Sequence, residues 1–183
     1  MRVIAGRFKG TKLFGADYAD LRPLTDRAKE SIFGIIQEYL PDARVLDLYA
    51  GTGAFGIEAL SRGARQVVFV EISPFVVRIL KRNLTRVRCE PKEYSILTRH
   101  VEKALPELSQ KQTFDIIFAD PPFRTPVAVD LLNQISKLPI LRKGGLFIYR
   151  HHQNEDVPSA WGKLEIWREK KYGDSVVKFF VRE

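Results

Sequence analysis

The stretch Val45-Leu46-Asp47-Leu48-Tyr49-Ala50-Gly51-Thr52-Gly53-Ala54-Phe55-Gly56 constrains this chain more than any other. An apolar run carrying an acid passes into three closely spaced glycines and then into Ile57-Glu58-Ala59-Leu60. That is the pattern of a strand, a tight loop and the start of a helix. Glycine in such a loop gives the backbone positive φ and lets a ligand approach closely. Twenty positions after Gly51, a second apolar run, Val67-Val68-Phe69-Val70, ends in Glu71. A carboxylate at that place can accept both hydroxyls of a ribose. The pair points to a nucleoside-containing cofactor.

Gly51-x-Gly53-x-x-Gly56 also satisfies the dinucleotide fingerprint, but a lone match discriminates weakly. Asp47 argues against a pyrophosphate, which needs bare amides at a helix N-terminus and is repelled by a nearby carboxylate. S-adenosylmethionine carries an ammonium, a carboxylate and a sulfonium, and no phosphate. An acid beside the glycine loop suits that ammonium. The residues favour a methyl donor over a nicotinamide.

A chain of 183 residues at 45% hydrophobic content fits one compact domain, with room for a small appendage. Strands are predicted at 44–48, 65–71, 93–98, 114–120 and 146–149. Helices are predicted from Ala54 to Ser61, from Ser73-Pro74, after the third strand as far as a break at Pro106, and from Thr125-Pro126. Upstream, Thr25 caps a helix with Ala28, Ile32, Ile35, Ile36 and Tyr39 on one face, stopped by Pro41. Residues 151–162 read as loop, and 163–169 with 175–181 flank Tyr172-Gly173-Asp174 as an antiparallel hairpin. Such alternation calls for an α/β, Rossmann-like, mostly parallel sheet of seven strands with a terminal antiparallel hairpin. That ending favours the methyltransferase variant over a six-parallel-strand dinucleotide fold.

Lys and Arg outnumber Asp and Glu by 30 to 22, giving a net charge of +8 and suggesting a polyanionic partner. Arg2, Arg7, Lys9 and Lys12 crowd into residues 2–13, a small β-hairpin turning near Gly6 or Gly10. This basic arm, residues 1–20, would grip phosphates, ahead of a larger domain at 21–183. Arg27 and Lys29 would extend its surface, while Arg22 and Arg27 could equally pair with Asp20 or Glu30. No run is apolar enough to span a bilayer, and Met1 to Arg7 is too short and polar for a signal peptide. The single Cys89 cannot form an internal disulfide, which fits a reducing cytoplasm. His100, His151 and His152 are not at metal-ligand spacing with Cys89, so no metal site is expected.

Asp120-Pro121-Pro122-Phe123 ends the fourth strand. In open parallel sheets ligands bind off the carboxyl ends of strands, so this tetrapeptide should face the glycine loop. Two prolines remove two amide donors and leave acceptors, the Asp120 carboxylate and the Pro121 carbonyl. Phe123 supplies a flat apolar face. Acceptors beside an aromatic face match the exocyclic amine of a base, whose lone pair is conjugated into its ring. Two acceptors bonding its hydrogens would expose that lone pair to a methyl sulfonium, and stacking on Phe123 would hold an extruded base. Asp120 can also take the proton.

With these residues placed, the chain resembles the bacterial family that methylates the N2 amine of a guanine in small-subunit (16S) ribosomal RNA. The likeness runs through Arg2-Val-Ile-Ala-Gly-Arg-Phe-Lys-Gly10, Arg22-Pro-Leu-Thr-Asp-Arg27, Val45 to Gly53, Ala59-Leu-Ser-Arg-Gly-Ala64, Asp120 to Phe123 and Tyr172-Gly-Asp174. It implies the class I S-adenosylmethionine-dependent methyltransferase fold in a cytoplasmic monomer acting on the small subunit. By that likeness Asp47, Gly51 and Gly53 hold the methionine part and Glu71 the ribose, with Tyr49, Ile72, His100 and Val101 completing the cofactor-binding set. Asp120 to Phe123 hold the target base, and Arg2, Arg7, Lys9, Lys12, Arg22 and Arg27 meet RNA. The chain departs from the pattern in offering His100 where an acid is usual after the third strand. Arg150 also stands where an acid is common, and is assigned no role. Asp-Pro-Pro-Phe alone resembles adenine-N6 enzymes as well, and a module that kept the fold but lost the chemistry is a third alternative.

Overall fold

The protein is described by a computed structural model covering residues 1–15, 24–122 and 127–183. Strands β1 (Arg44–Leu48), β2 (Gln66–Val70), β3 (Tyr94–Leu97), β4 (Phe114–Ala119), β5 (Leu141–His152), β6 (Ala160–Trp161), β7 (Leu164–Tyr172) and β8 (Ser175–Arg182) form one sheet. Their order is β3-β2-β1-β4-β5-β8-β7-β6. The first five run parallel, and the last three join antiparallel. The direction of winding reverses between β1 and β4, which opens a crevice at their carboxyl ends.

Successive residues of β1 point to opposite faces, and both faces are apolar because helices cover both. Val45, Phe69, Ile116 and Phe118 pack under α1 (Asp26–Ile35), α2 (Ala54–Ser61) and α3 (Pro74–Arg86). Leu46, Val68, Ile117 and Phe147 pack under α4 (Val101–Ser109) and α5 (Ala128–Lys137). Thr25 and Ser73 cap α1 and α3 as their side chains lead one to expect.

Four features differ from expectation. The sheet has eight strands rather than seven, because Ala160 and Trp161 pair with Glu165 and Leu164 within the stretch read as loop. Strand β5 continues to His152 because β8 pairs with it through Ser175. Pro106 does not break α4, whose buried Ala104, Leu105 and Leu108 hold both halves to the sheet. Lys29 does not extend the basic surface; it is fully buried, 3.3 Å from the Glu58 carboxylate. The predicted helix start at Thr125-Pro126 lies outside the described residues.

Residues 1–15 are docked rather than free. Their hairpin closes through one bridge, Arg2 to Lys12, and Val3 and Leu13 enter the core. The Ile4 and Ala5 amides donate to the two Glu58 carboxylate oxygens at 2.9 and 3.1 Å, and the Phe8 amide donates to Ser61 Oγ at 2.9 Å. No helix among the described residues is long and apolar enough to cross a membrane.

Candidate active site

The carboxyl edge of the sheet gathers three acids from three strands. Asp47 comes from within β1, Glu71 follows β2 and Asp120 follows β4. Leu48 pairs in register with both Val70 and Ala119, so the strand ends lie side by side. Asp47 is buried and accepts the Gly56 amide at 3.0 Å, which ties the start of α2 to β1. Burial pushes its carboxyl well above the ordinary carboxylate range, the Gly56 amide opposes this, and the charges of Asp120 and Glu71 add to it. Such an edge repels phosphate and attracts a cation.

The glycine loop has the conformation its residues permit. Gly53 caps α2 with φ of 86°, and a Cβ there would lie 2.2 Å from the Leu80 side chain. A Cβ on Gly56 would lie 2.2 Å from the Phe69 ring, so this third glycine serves helix–strand contact rather than ligand approach. Glu71 spans the loop: one oxygen accepts the Gly51 amide and the other the Ser73 amide, both at 2.9 Å. Each carboxylate oxygen keeps a second lone pair for a hydroxyl.

Tyr49 holds φ of 57°, a strained value for a bulky residue, at the mouth of the crevice. Its hydroxyl is buried without a hydrogen-bond partner among the described residues, and burial pushes the phenol pKa up. Ile72 is 48% exposed beside Glu71. His100 occupies the N-cap of α4 with an exposed ring and no side-chain cap bond, and Val101 behind it is buried.

Asp120 sits at the end of β4, its amide reaching the Leu48 carbonyl at 3.5 Å. Pro121 is buried and Pro122 exposed; Phe123 lies outside the described residues. The residue that sequence reasoning missed is Arg150. Its Nη1 donates to Asp120 Oδ2 at 2.9 Å, with the two side chains 8% and 20% exposed. Burial raises the Asp120 pKa, and the Arg150 guanidinium opposes that rise. The signal was present in the register: Ala119 pairs with Tyr149, so the charged residues that follow each are neighbours. Arg150 also reaches Ser175 Oγ at 3.4 Å, and Ser175 donates to the Tyr172 carbonyl at 3.0 Å. The Tyr172-Gly173-Asp174 turn is thereby tied to Asp120.

The basic residues divide. Arg2 pairs with Asp26 at 3.3 Å, and Arg7 with Glu93. Lys9, Lys12 and Arg27 are exposed, with no ion pair among the described residues, and Arg22 lies outside them. His151 is buried and stacks on Tyr149 with ring centroids 5.6 Å apart, a packing role.

A family described as "Conserved hypothetical protein 95" matches residues 1–181. The protein named "Ribosomal RNA small subunit methyltransferase D" in Escherichia coli K12 is 32% identical over 185 residues, covering 100% of this chain and 90% of its own. YlbH of Bacillus subtilis is 36% identical over 183 residues, covering 100% of this chain and 99% of its own. Among solved structures, a hypothetical protein of Thermus thermophilus matches with a TM-score of 0.85 at 28% identity, covering 100% of this chain and 99% of that one. The architecture is the Rossmann-like, class I methyltransferase fold, which recurs in solved structures titled as methyltransferases or methylases.

Proposed function

Because the chain belongs to the family described as Conserved hypothetical protein 95, we propose that it is a ribosomal RNA methyltransferase using S-adenosylmethionine. Its acceptor is the exocyclic N2 amine of a guanine in small-subunit (16S) rRNA, extruded into the pocket at Asp120 to Phe123. The observation that carries this reading is the acceptor-rich end of β4 set beside the glycine loop across the switch point, within an acidic edge. The relatives named for small-subunit rRNA methylation support the same substrate.

The residues fit the methyl donor. Bound there, S-adenosylmethionine supplies an electrophilic methyl group on a sulfonium. The acidic edge of Asp47, Glu71 and Asp120 presents a negative potential to its ammonium, which would favour the ionised form of Asp47 that burial disfavours, and no phosphate would be stable there. Glu71 has lone pairs left for the ribose hydroxyls, and Ile72 offers an apolar wall beside them. The first-turn amides behind His100, beginning with Val101, offer donors to the ring nitrogens of the adenine.

On the acceptor side, Arg150 engages Asp120 Oδ2 and leaves Oδ1 to accept one amine hydrogen, while the Pro121 carbonyl accepts the other. The freed amine lone pair would take the methyl group that S-adenosylmethionine bound here supplies, and Asp120 or water would take the proton that the methylated amine sheds. Orientation does most of the work. Phe123 stacks on the base, and the arm, with Arg2, Arg7, Lys9, Lys12, Arg22 and Arg27, meets the RNA backbone.

Radiolabelled S-adenosylmethionine, offered with small subunits lacking the modification, free rRNA and DNA, tests the assignment by nucleoside analysis. Label in N2-methylguanosine from rRNA is the expected result. Label in N6-methyladenine would overturn the base and keep the pocket. No transfer with intact cofactor binding would favour a module that lost its chemistry. Asp120→Ala should abolish transfer and leave cofactor affinity in place; near-normal turnover would refute the acceptor role.

A further inference from the structure

Helix α3 breaks a local rule. Arg78, Lys81, Arg82 and Arg86 lie within its 13 residues, which include no acid. Arg78, Arg82 and Arg86 succeed one another at i, i+4 and i+8, where like charges repel. Among the described residues, none of the four cations is in an ion pair. A helix that keeps such repulsion against its own folding is using the charge elsewhere.

The surroundings form a built groove. Arg82 and Arg86 both lie over the Phe14 ring, their guanidinium carbons 4.2 and 4.9 Å from its centroid. Phe14, Lys81, Arg82, Thr85 and Arg86 line a cavity of about 400 Å³ that is open to solvent. The pattern repeats towards the helix N-terminus, where Arg78 lies 5.3 Å over Phe75. Each ring restrains long side chains that would otherwise lose rotamer freedom on meeting a ligand.

Phe14 is itself pinned. Its amide donates to Asn83 Oδ1 at 2.8 Å and its carbonyl accepts from Asn83 Nδ2 at 3.0 Å. The same Nδ2 donates to the Thr52 carbonyl in the glycine loop at 2.9 Å. Asn83 is fully buried. The groove and the glycine loop are thus one hydrogen-bonded unit.

We propose that this groove binds the phosphodiester backbone of the substrate RNA, on a strand flanking the target nucleotide. The inference rests on the reading that RNA is the substrate, and it adds a contact surface outside the N-terminal arm. Guanidinium groups held side by side present donors in the geometry that phosphate oxygens accept. A membrane surface is a poorer occupant, because Val76, Val77, Leu80 and Leu84 of α3 are buried and the helix exposes a single large apolar side chain, Phe75, rather than an apolar face.

The test measures binding of unmodified 16S rRNA by the full chain over a range of salt concentrations. Arg82→Gln/Arg86→Gln should weaken binding and flatten the log–log salt slope by about 1.4–1.8, two phosphate contacts' worth. Phe14→Ala should weaken binding with the slope unchanged, since it removes no charge. Lys170→Gln/Lys171→Gln makes the same charge change on exposed positions of β7 and serves as the control. S-adenosylmethionine affinity should be unchanged in all of these, which reports on folding. If the control flattens the slope equally, general attraction explains the effect and the groove is refuted. An unchanged slope in the arginine variant, with wild-type protein binding RNA, also overturns the groove but spares the function. Wild-type protein without affinity for rRNA would overturn both.

Discussion

Asp120 and Asp47 are acids whose surroundings work against their charge, and each has a different counterweight. For Asp120 it is Arg150, so removing the guanidinium leaves a largely buried carboxylate alone. Arg150→Met should destabilise the protein by about 3 kcal/mol, read by denaturant unfolding. It should also move the acid limb of the kcat/KM profile to higher pH, because Asp120 must be ionised to accept the amine hydrogen and loses the group that opposes its raised pKa. A limb that stays in place would separate Asp120 ionisation from the reaction. For Asp47 the counterweight is one amide, from Gly56. Its folded pKa lies above the unfolded value, so the buried charge weakens folding at neutral pH and the effect fades as pH falls towards about 4. Asp47→Asn should therefore raise Tm relative to wild type at neutral pH, with the gain shrinking in acid. The same variant should lose S-adenosylmethionine affinity, measured by calorimetry. Equal affinity in the two proteins would remove Asp47 from the cofactor site.

At the scale of elements, α2 joins three parts of the molecule. Its N-terminus meets Asp47 through Gly56, while Phe55 stacks on Phe118 of β4 with centroids 3.8 Å apart. Towards its C-terminal end, Glu58 accepts from Ile4, Ala5 and Arg62 and faces Lys29 at 3.3 Å. Glu58→Gln replaces one of the two accepting oxygens with a donor that faces a backbone amide, and leaves Lys29 buried without its charge partner. A loss of about 3–5 kcal/mol is expected, with hydrogen exchange faster at Ile4 and Ala5 than in the sheet. Uniform loosening would mean that Glu58 does not hold the N-terminal hairpin in particular. These contacts were not legible in the sequence. Thr25, Ser73-Pro74 and the glycine loop are local signals, and they located α1, α3 and α2. Lys29 looks like any surface lysine until the helix that opposes it is known.

Over the whole molecule, a charge of +8 is distributed unevenly. The acids Asp47, Glu71 and Asp120 gather in the crevice, while Lys9, Lys12, Arg27 and the α3 cations stand outside it. That separation suits a polyanion docking around a cationic cofactor. Reversing Arg2, Arg7 and Lys9 to Glu should weaken rRNA binding and lower its salt sensitivity, measured by titration at several ionic strengths. Unchanged affinity would make the hairpin an ordinary solvated surface. Arg2 and Arg7 already have carboxylate partners, so Lys9 should carry the larger share of the loss.

The sequence by itself determined the class of fold and the position of the crevice. Alternating apolar periods, caps and glycines act within a few residues, and the reversal of strand order follows from the right-handed crossovers they require. It also located Asp47, Glu71 and Asp120, each at or near the end of an apolar strand. Only the tertiary structure decided which charges meet. Arg150 reaches Asp120 because β5 lies beside β4, and Glu58 reaches Lys29 because α1 and α2 share a face of the sheet. The two β6 residues and the continuous α4 belong to the same group: their own signals are weak or adverse, and neighbouring strands and apolar packing decide them. Ionic and packing partners distant along the chain depend on sheet order and layer. No short-range pattern in a sequence encodes those.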